Sequence, residues 1–119
     1  MTPEITAALE SDRTIDITTT GRKSGEPRRL EIWFHNVDGR IFITGMPGRR
    51  SWYANLLATP EFTFHLKESV QADLPAVARA ITEPTEKRTV FGVLLERLGY
   101  ADRIDIWITD SPLIEVTFP

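Results

Sequence analysis

The chain reads as a mainly β (α+β) domain: a small closed or split β-barrel of about six to seven antiparallel strands with two to three helices. A sandwich is the competing architecture. Three observations predict this class. Short segments with alternating apolar and polar residues recur along the chain, the period of a half-buried strand. Their connections are too short for the crossovers that parallel strands need, so neighbours should be antiparallel. Only one stretch, PTEKRTVFGVLLERLG, carries a long helical stripe. With 119 residues, 41% of them apolar, residues 1–119 form one domain, large enough for a single core.

Each element has its own signal. PEITAALESDR opens as a short helix with Pro3 at the first helical position. RTIDITTT alternates Ile15 and Ile17 with Asp16 and Thr18. GRKSGEP is a loop by its Gly, Ser and Pro content. RRLEIWFHN sets Leu30, Ile32 and Phe34 on one face and Arg29, Glu31, Trp33 and His35 on the other. Asp38-Gly39 is a hairpin signal, because both central positions of a type I′ turn need positive φ; RIFITG is the returning strand. MPGRR is a second Gly/Pro loop. Ser51 is the expected cap of the helix WYANLLA, which Pro60 stops. EFTFHLK alternates again on Phe62, Phe64 and Leu66. VQADLPAVARAIT offers a face of Val70, Ala72, Leu74, Ala76, Ala78 and Ala80, and Pro75 puts it at an edge or bulge. Val90, Phe91, Leu94, Leu95 and Leu98 form the stripe of the main helix, which Gly99 ends. RIDIWIT and PLIEVTF read as two final strands joined by DSP, with Trp107 buried in a dimer or against its own core.

Charge narrows the function. The chain carries a net −3, yet residues 21–50 hold seven of its fourteen Lys and Arg against three acids. That segment is +4 and the remainder −7, an asymmetry that suits an anionic small molecule better than a polyanion. The overall acidity argues against a general nucleic-acid binder. There are no cysteines and two histidines, so thiolate chemistry is excluded and a multi-histidine metal site is not expected. No run approaches the apolar length of a membrane helix, and the opening residues lack a secretory pattern; a cytoplasmic protein without stable membrane insertion is expected.

Two loops could carry the anion. In GRKSGEPRR, Gly21 and Gly25 permit backbone N–H groups to line a concavity, Ser24 adds a donor, and Arg22 and Lys23 add charge. A solvated basic turn is the plain alternative, at about even odds; the spacing is not that of a P-loop. In GMPGRRSWYANL, Gly48, Arg49 and Arg50 lead into a helix N-terminus, which favours an anion. Hairpin connectivity places both loops at one end of the barrel, where they could bind one elongated anion. Trp33, His35, Trp52 and Tyr53 are candidate walls for a flat aromatic ligand. His35 and His65 are more readily satisfied strand residues than catalysts. No Ser-His-Asp order or paired-carboxylate motif stands out; catalytic residues stay unassigned, and the hard chemistry falls to a cofactor.

TTTGRKSGEPRR, DGRIFITG and WYANLLATPEFTFHL together strongly resemble the deazaflavin-dependent nitroreductase family, over about Ile17 to Leu66. The resemblance implies a split β-barrel of the type also used by flavin-binding pyridoxamine-phosphate oxidases. It implies a reduced deazaflavin cofactor (coenzyme F-420) with a phosphate and an oligoglutamate tail, and hydride transfer to a quinone, activated alkene or nitro compound. By position, Arg22, Lys23 and Ser24 would hold phosphate and tail, Gly48, Arg49 and Arg50 would approach from the second loop, and Trp52, Tyr53 and Asn55 would shape the pocket. The segment GMPGRRS is shorter than in the members compared, which carry a lysine there, and the late chain offers only Tyr100 where nitroreductases have several tyrosines. The alternatives are a flavin mononucleotide (FMN) enzyme on the same fold and a non-catalytic binder of an apolar or anionic ligand in a cavity of Trp33, Phe34 and Phe42. The expected partner is a small-molecule substrate; a homodimer through a sheet face is a further expectation.

Overall fold

The computed structural model describes all of residues 1–119. Six strands, β1 (Thr14–Thr20), β2 (Pro27–Val37), β3 (Arg40–Thr44), β4 (Glu61–Leu66), β5 (Ala72–Ala80) and β6 (Leu113–Thr117), close into an antiparallel barrel in the order β1-β2-β3-β6-β5-β4. Four helices accompany them: α1 (Pro3–Ser11), α2 (Ser51–Ala58), α3 (Pro84–Leu98) and α4 (Ile104–Asp110), the last preceded by a 3-10 turn over Ala101–Arg103.

Register makes the alternation work. Ile15 pairs with Ile32 and Leu66, and Ile17 with Leu30 and Phe64, so the apolar rows of three strands coincide on the inner face. Phe34 meets Phe64 edge to face inside the barrel, centroids 5.3 Å apart. The Asp38-Gly39 turn has φ of 53° and 87°, as type I′ geometry requires, and Asn36 Oδ1 accepts from the Gly39 N–H. Pro75 sits in the half of β5 that pairs with β4 alone, where its missing N–H costs no ladder bond.

Two cores result. Inside the barrel, the strand residues are plugged by Ala8 and Leu9 of α1 at one end and by Trp52 and Leu56 of α2 at the other. Outside, Phe42 and Leu113 of β3 and β6 are covered by Val90, Phe91, Leu94 and Leu95 of α3 and Trp107 of α4. Glu83 caps α3, its carboxylate accepting from the Thr85 and Glu86 N–H groups at 3.0 and 2.7 Å. Arg40 and Arg79 both bond Glu115, holding its carboxyl down to about 2.

Three expectations need correction, and two are sharpened. RIDIWIT is helix, not strand: Ile104, Trp107 and Ile108 face the outer core while Ile106 points to solvent, a 3.6-residue repeat hidden under an every-second-residue run of isoleucine. Trp107 is therefore buried against its own core, stacked on Tyr100. Ser51 is the first helical residue of α2; Arg50 holds the cap position and no side chain caps the helix. The strand count is six, the lower of the two expected, and the helices number four rather than two to three because RIDIWIT joins them.

Phe91 is fully buried between α4 and the barrel, its ring 5.7 Å from that of Trp107. Phe91→Ala should destabilise the protein by about 3–5 kcal/mol, read as a lower urea midpoint at unchanged slope.

Candidate functional site

The loop after β1, the segment after β3 and the start of β6 gather at one end of the barrel because β1 and β3, each antiparallel to β2, run the same way and β6 runs opposite to them. The two basic loops therefore lie where hairpin connectivity put them. They do not line one groove. Residues 45–50 run between three clefts, and the predicted site residues divide among them.

The first cleft, about 380 Å³, is cationic. Arg22, Lys23 and Ser24 line it from the first loop, Arg28 from β2, and Ser51, Trp52 and Asn55 from α2. Asn55 is buried and holds the loop: its Oδ1 accepts from the Arg22 backbone N–H and from Arg22 Nη1, both at 3.1 Å, while its Nδ2 donates to Thr19 Oγ1 at 3.1 Å. Ser24 Oγ accepts from the Glu26 N–H and from Arg28 Nη2, which leaves its own proton free to donate. The uncapped start of α2 faces the same space through Ser51 and Trp52. The donor set of two guanidinium groups, an ammonium and a hydroxyl fits a phosphate.

The second cleft, about 310 Å³, is aromatic: Trp33 and His35 from β2, Gly45 and Met46 from the segment, Tyr100 and Trp107 from the C-terminal half. Its walls fit a flat ring. Burial, with Arg13 and Arg97 nearby, pushes the His35 imidazole down to about 4. At neutral pH it is uncharged, a donor and acceptor rather than a cation.

The third cleft, about 470 Å³, takes Gly48, Arg49 and Tyr53, together with Lys87, Asp110 and Ser111. Arg50 joins none of these walls. Its guanidinium folds back, Nη2 donating to Met46 O and Nη1 to Arg49 O, each at 2.9 Å. Phe34 and Phe42, expected beside Trp33 in a binding cavity, lie in the inner and outer cores respectively.

Sequence reasoning passed over Arg28, Met46, Trp107 and Lys87 as site residues. Arg28 was legible, one of four cations in twelve residues. Lys87 and Trp107 arrive from α3 and α4, and nothing local marks them.

His65 is satisfied, as expected of a strand histidine. Its Nε2 lies 2.7 Å from Thr18 Oγ1 and its Nδ1 2.7 Å from Asp73 Oδ1.

An antiparallel split barrel with a phosphate-competent cleft and an aromatic cleft at one end is a scaffold for a flat, anionic redox cofactor. The chain belongs to the F420H(2)-dependent quinone reductase family, whose sequence model matches residues 2–115. It is thereby a deazaflavin-dependent oxidoreductase with coenzyme F-420 as its cofactor. The fold is shared with the conserved hypothetical protein Rv2991 of Mycobacterium tuberculosis, at 21% identity over 99% of this chain and 81% of that one, TM-score 0.74. It is shared with an F420-H2 dependent reductase (FDR-A) at 21% identity, covering 89% and 95%, TM-score 0.64. A FAD-binding protein of Mesorhizobium loti has it too, at 12% identity, covering 100% and 91%, TM-score 0.69. No helix of the chain is long and apolar enough to cross a membrane.

Two outcomes follow from this geometry. Asn55→Ala removes three hydrogen bonds that tie the first loop to α2 and β1, so it should cost about 1–3 kcal/mol and lower affinity for any ligand of the cationic cleft. Thermal denaturation and ligand titration of the one variant check both. The second concerns pH. As pH falls from 6.5 to about 4, the unfolded chain takes up a proton at His35 that the folded chain refuses, so stability should fall through that window and level off below it. His35→Gln should remove that part of the fall, on the order of 3 kcal/mol, in denaturant titrations across the range.

Proposed function

We propose that the chain binds reduced deazaflavin with its phosphate in the cleft of Arg22, Lys23, Ser24 and Arg28 and its ring against Trp33, Gly45, Met46 and Tyr100, and reduces a small electrophile such as a quinone, an activated alkene or a nitro compound. The observation that carries this is the pairing of a cationic and an aromatic cleft across a few residues, from Gly45 to Trp52. The cofactor, when bound, supplies a hydride. The chain's own residues do the rest. Arg22 and Arg28 neutralise and orient the anionic end, and Asn55 fixes Arg22 so that little is lost on binding. Trp33, Trp107 and Tyr100 exclude water from one face of the ring. His35, held neutral, can pass a hydrogen bond to a polar atom at the cleft without adding positive charge. Of the earlier candidates, Trp52 and Asn55 serve both core and cleft, while Gly48, Arg49 and Tyr53 belong to a different wall.

The test is titration with the oxidised deazaflavin at low and high salt, followed by protein fluorescence. Binding should be saturable and weaken with salt. Reversing both charges, Arg22→Glu with Lys23→Glu, should weaken it by at least about tenfold, the loss of two charge-assisted contacts. Unchanged affinity in that variant would remove the phosphate assignment. Preferential binding of FMN would replace the cofactor reading.

A further inference from the structure

The third cleft has no part in that reading, and it holds two groups that its own protein atoms leave short of partners. Lys87 is nine-tenths buried, at 9% exposure. Its ammonium donates to the Ser111 carbonyl at 2.9 Å and lies 6.0 Å from the Phe91 ring, and it makes no ion pair within 4.0 Å. Two of its three protons are therefore uncommitted. Burial pushes its pKa down, and Asp110 on the same wall partly offsets that. Ser111 is 2% exposed, and its Oγ has no hydrogen-bond partner, the sole buried side-chain N or O in the molecule so placed. An orphaned hydroxyl costs about 1–3 kcal/mol and calls for an explanation. Lys87 Nζ holds the carbonyl of the same serine, and both residues line the cleft. Arg49 and the positive-φ Gly48, whose N–H donates to Asp110 O at 3.0 Å, complete the wall. The charge is two cations against one carboxylate.

We infer that this cleft is a second oxyanion site, in which Lys87 Nζ and Ser111 Oγ donate to a carboxylate or phosphate and Arg49 closes over it. The donors, the surplus positive charge and the roughly 470 Å³ of space match a small oxyanion, either free or borne on a longer ligand. Asp110 opposes it and sets a modest affinity.

The experiment is a titration of the full chain with inorganic phosphate, followed by amide chemical shifts. Saturable shifts are expected at Gly48, Arg49 and Ser111. Lys87→Met, which keeps the stem and removes the charge, should weaken them about tenfold, and Ser111→Ala should weaken them several-fold. Asp110→Asn, a surface change that leaves the core untouched, should strengthen them several-fold, an effect no purely structural role would produce. In the Arg22→Glu, Lys23→Glu variant they should persist, so failure of the cofactor assignment leaves this test standing. Repeating the titration with deazaflavin present, tailed and tail-less, separates the sources. Competition with the tailed form alone identifies the tail's carboxylates as occupant; no competition identifies a free oxyanion. Shifts confined to Gly21–Ser24, no saturation, or shifts indifferent to both Lys87→Met and Asp110→Asn would overturn the site.

Discussion

The insertion of β6 between β3 and β5 is the constraint on which the rest depends. Five residues at the end of the chain pair on both flanks, Ile114 with Ile43 and Ala80, Val116 with Ile41 and Ala78. Without that pairing the sheet stays open and its edges bare. With it, Ile114 and Val116 complete the inner core, and Leu113 joins Phe42 to make the outer patch that α3 and α4 cover. Closure also brings Ser111 and Pro112 to the end where the loops after β1 and β3 already lie. Thr44 Oγ1 donates to Pro112 O at 2.5 Å and fixes the two segments to each other there.

Between those points, residues 45–50 act as a short strap. Arg50 spends its guanidinium on the strap's own carbonyls, so the turn carries its internal hydrogen bonds with it. Successive residues then face different spaces: Gly45 and Met46 the aromatic cleft, Gly48 and Arg49 the Lys87 cleft, Ser51 and Trp52 the cationic cleft. A longer segment could lie along one groove. One this short crosses between three, so the cations of the first loop and Arg49 of the strap line different clefts.

The sequence made the strands legible because inner and outer faces of an antiparallel sheet demand different residues, and Ile15, Ile17, Phe34 and Phe64 obey that demand. The first loop was legible as a loop because its Gly, Ser and Pro content breaks the alternation, and its cations line a cleft. The α4 segment was not. Ile104, Ile106 and Ile108 satisfy a strand's alternation, and only the packing of Trp107 on Phe91 and Tyr100 selects the helix. The Lys87 cleft was illegible because its donors come from α3 and from the turn into β6, far apart in the chain and joined only by tertiary packing. The assignment of Gly48, Arg49 and Arg50 to one cofactor groove rested on adjacency in sequence, which a tight turn does not preserve as adjacency in space.

The one arrangement that looks like conventional catalytic machinery is a structural tie. Thr18, His65 and Asp73 are spaced as a hydroxyl–imidazole–carboxylate relay, with both contacts at 2.7 Å. A relay of that kind also needs backbone donors aimed at a developing oxyanion. Here Thr18 lies in the middle of β1, opposite Arg29 on one side and Thr63 on the other, so the amides around it are engaged in the barrel's ladders. The imidazole is buried and partnered at both nitrogens, tying β1, β4 and β5 together across the outer wall. It stabilises the closed sheet. The three clefts around the strap differ from it in that their donors, Arg22, Lys23, Arg28 and Arg49, face open space.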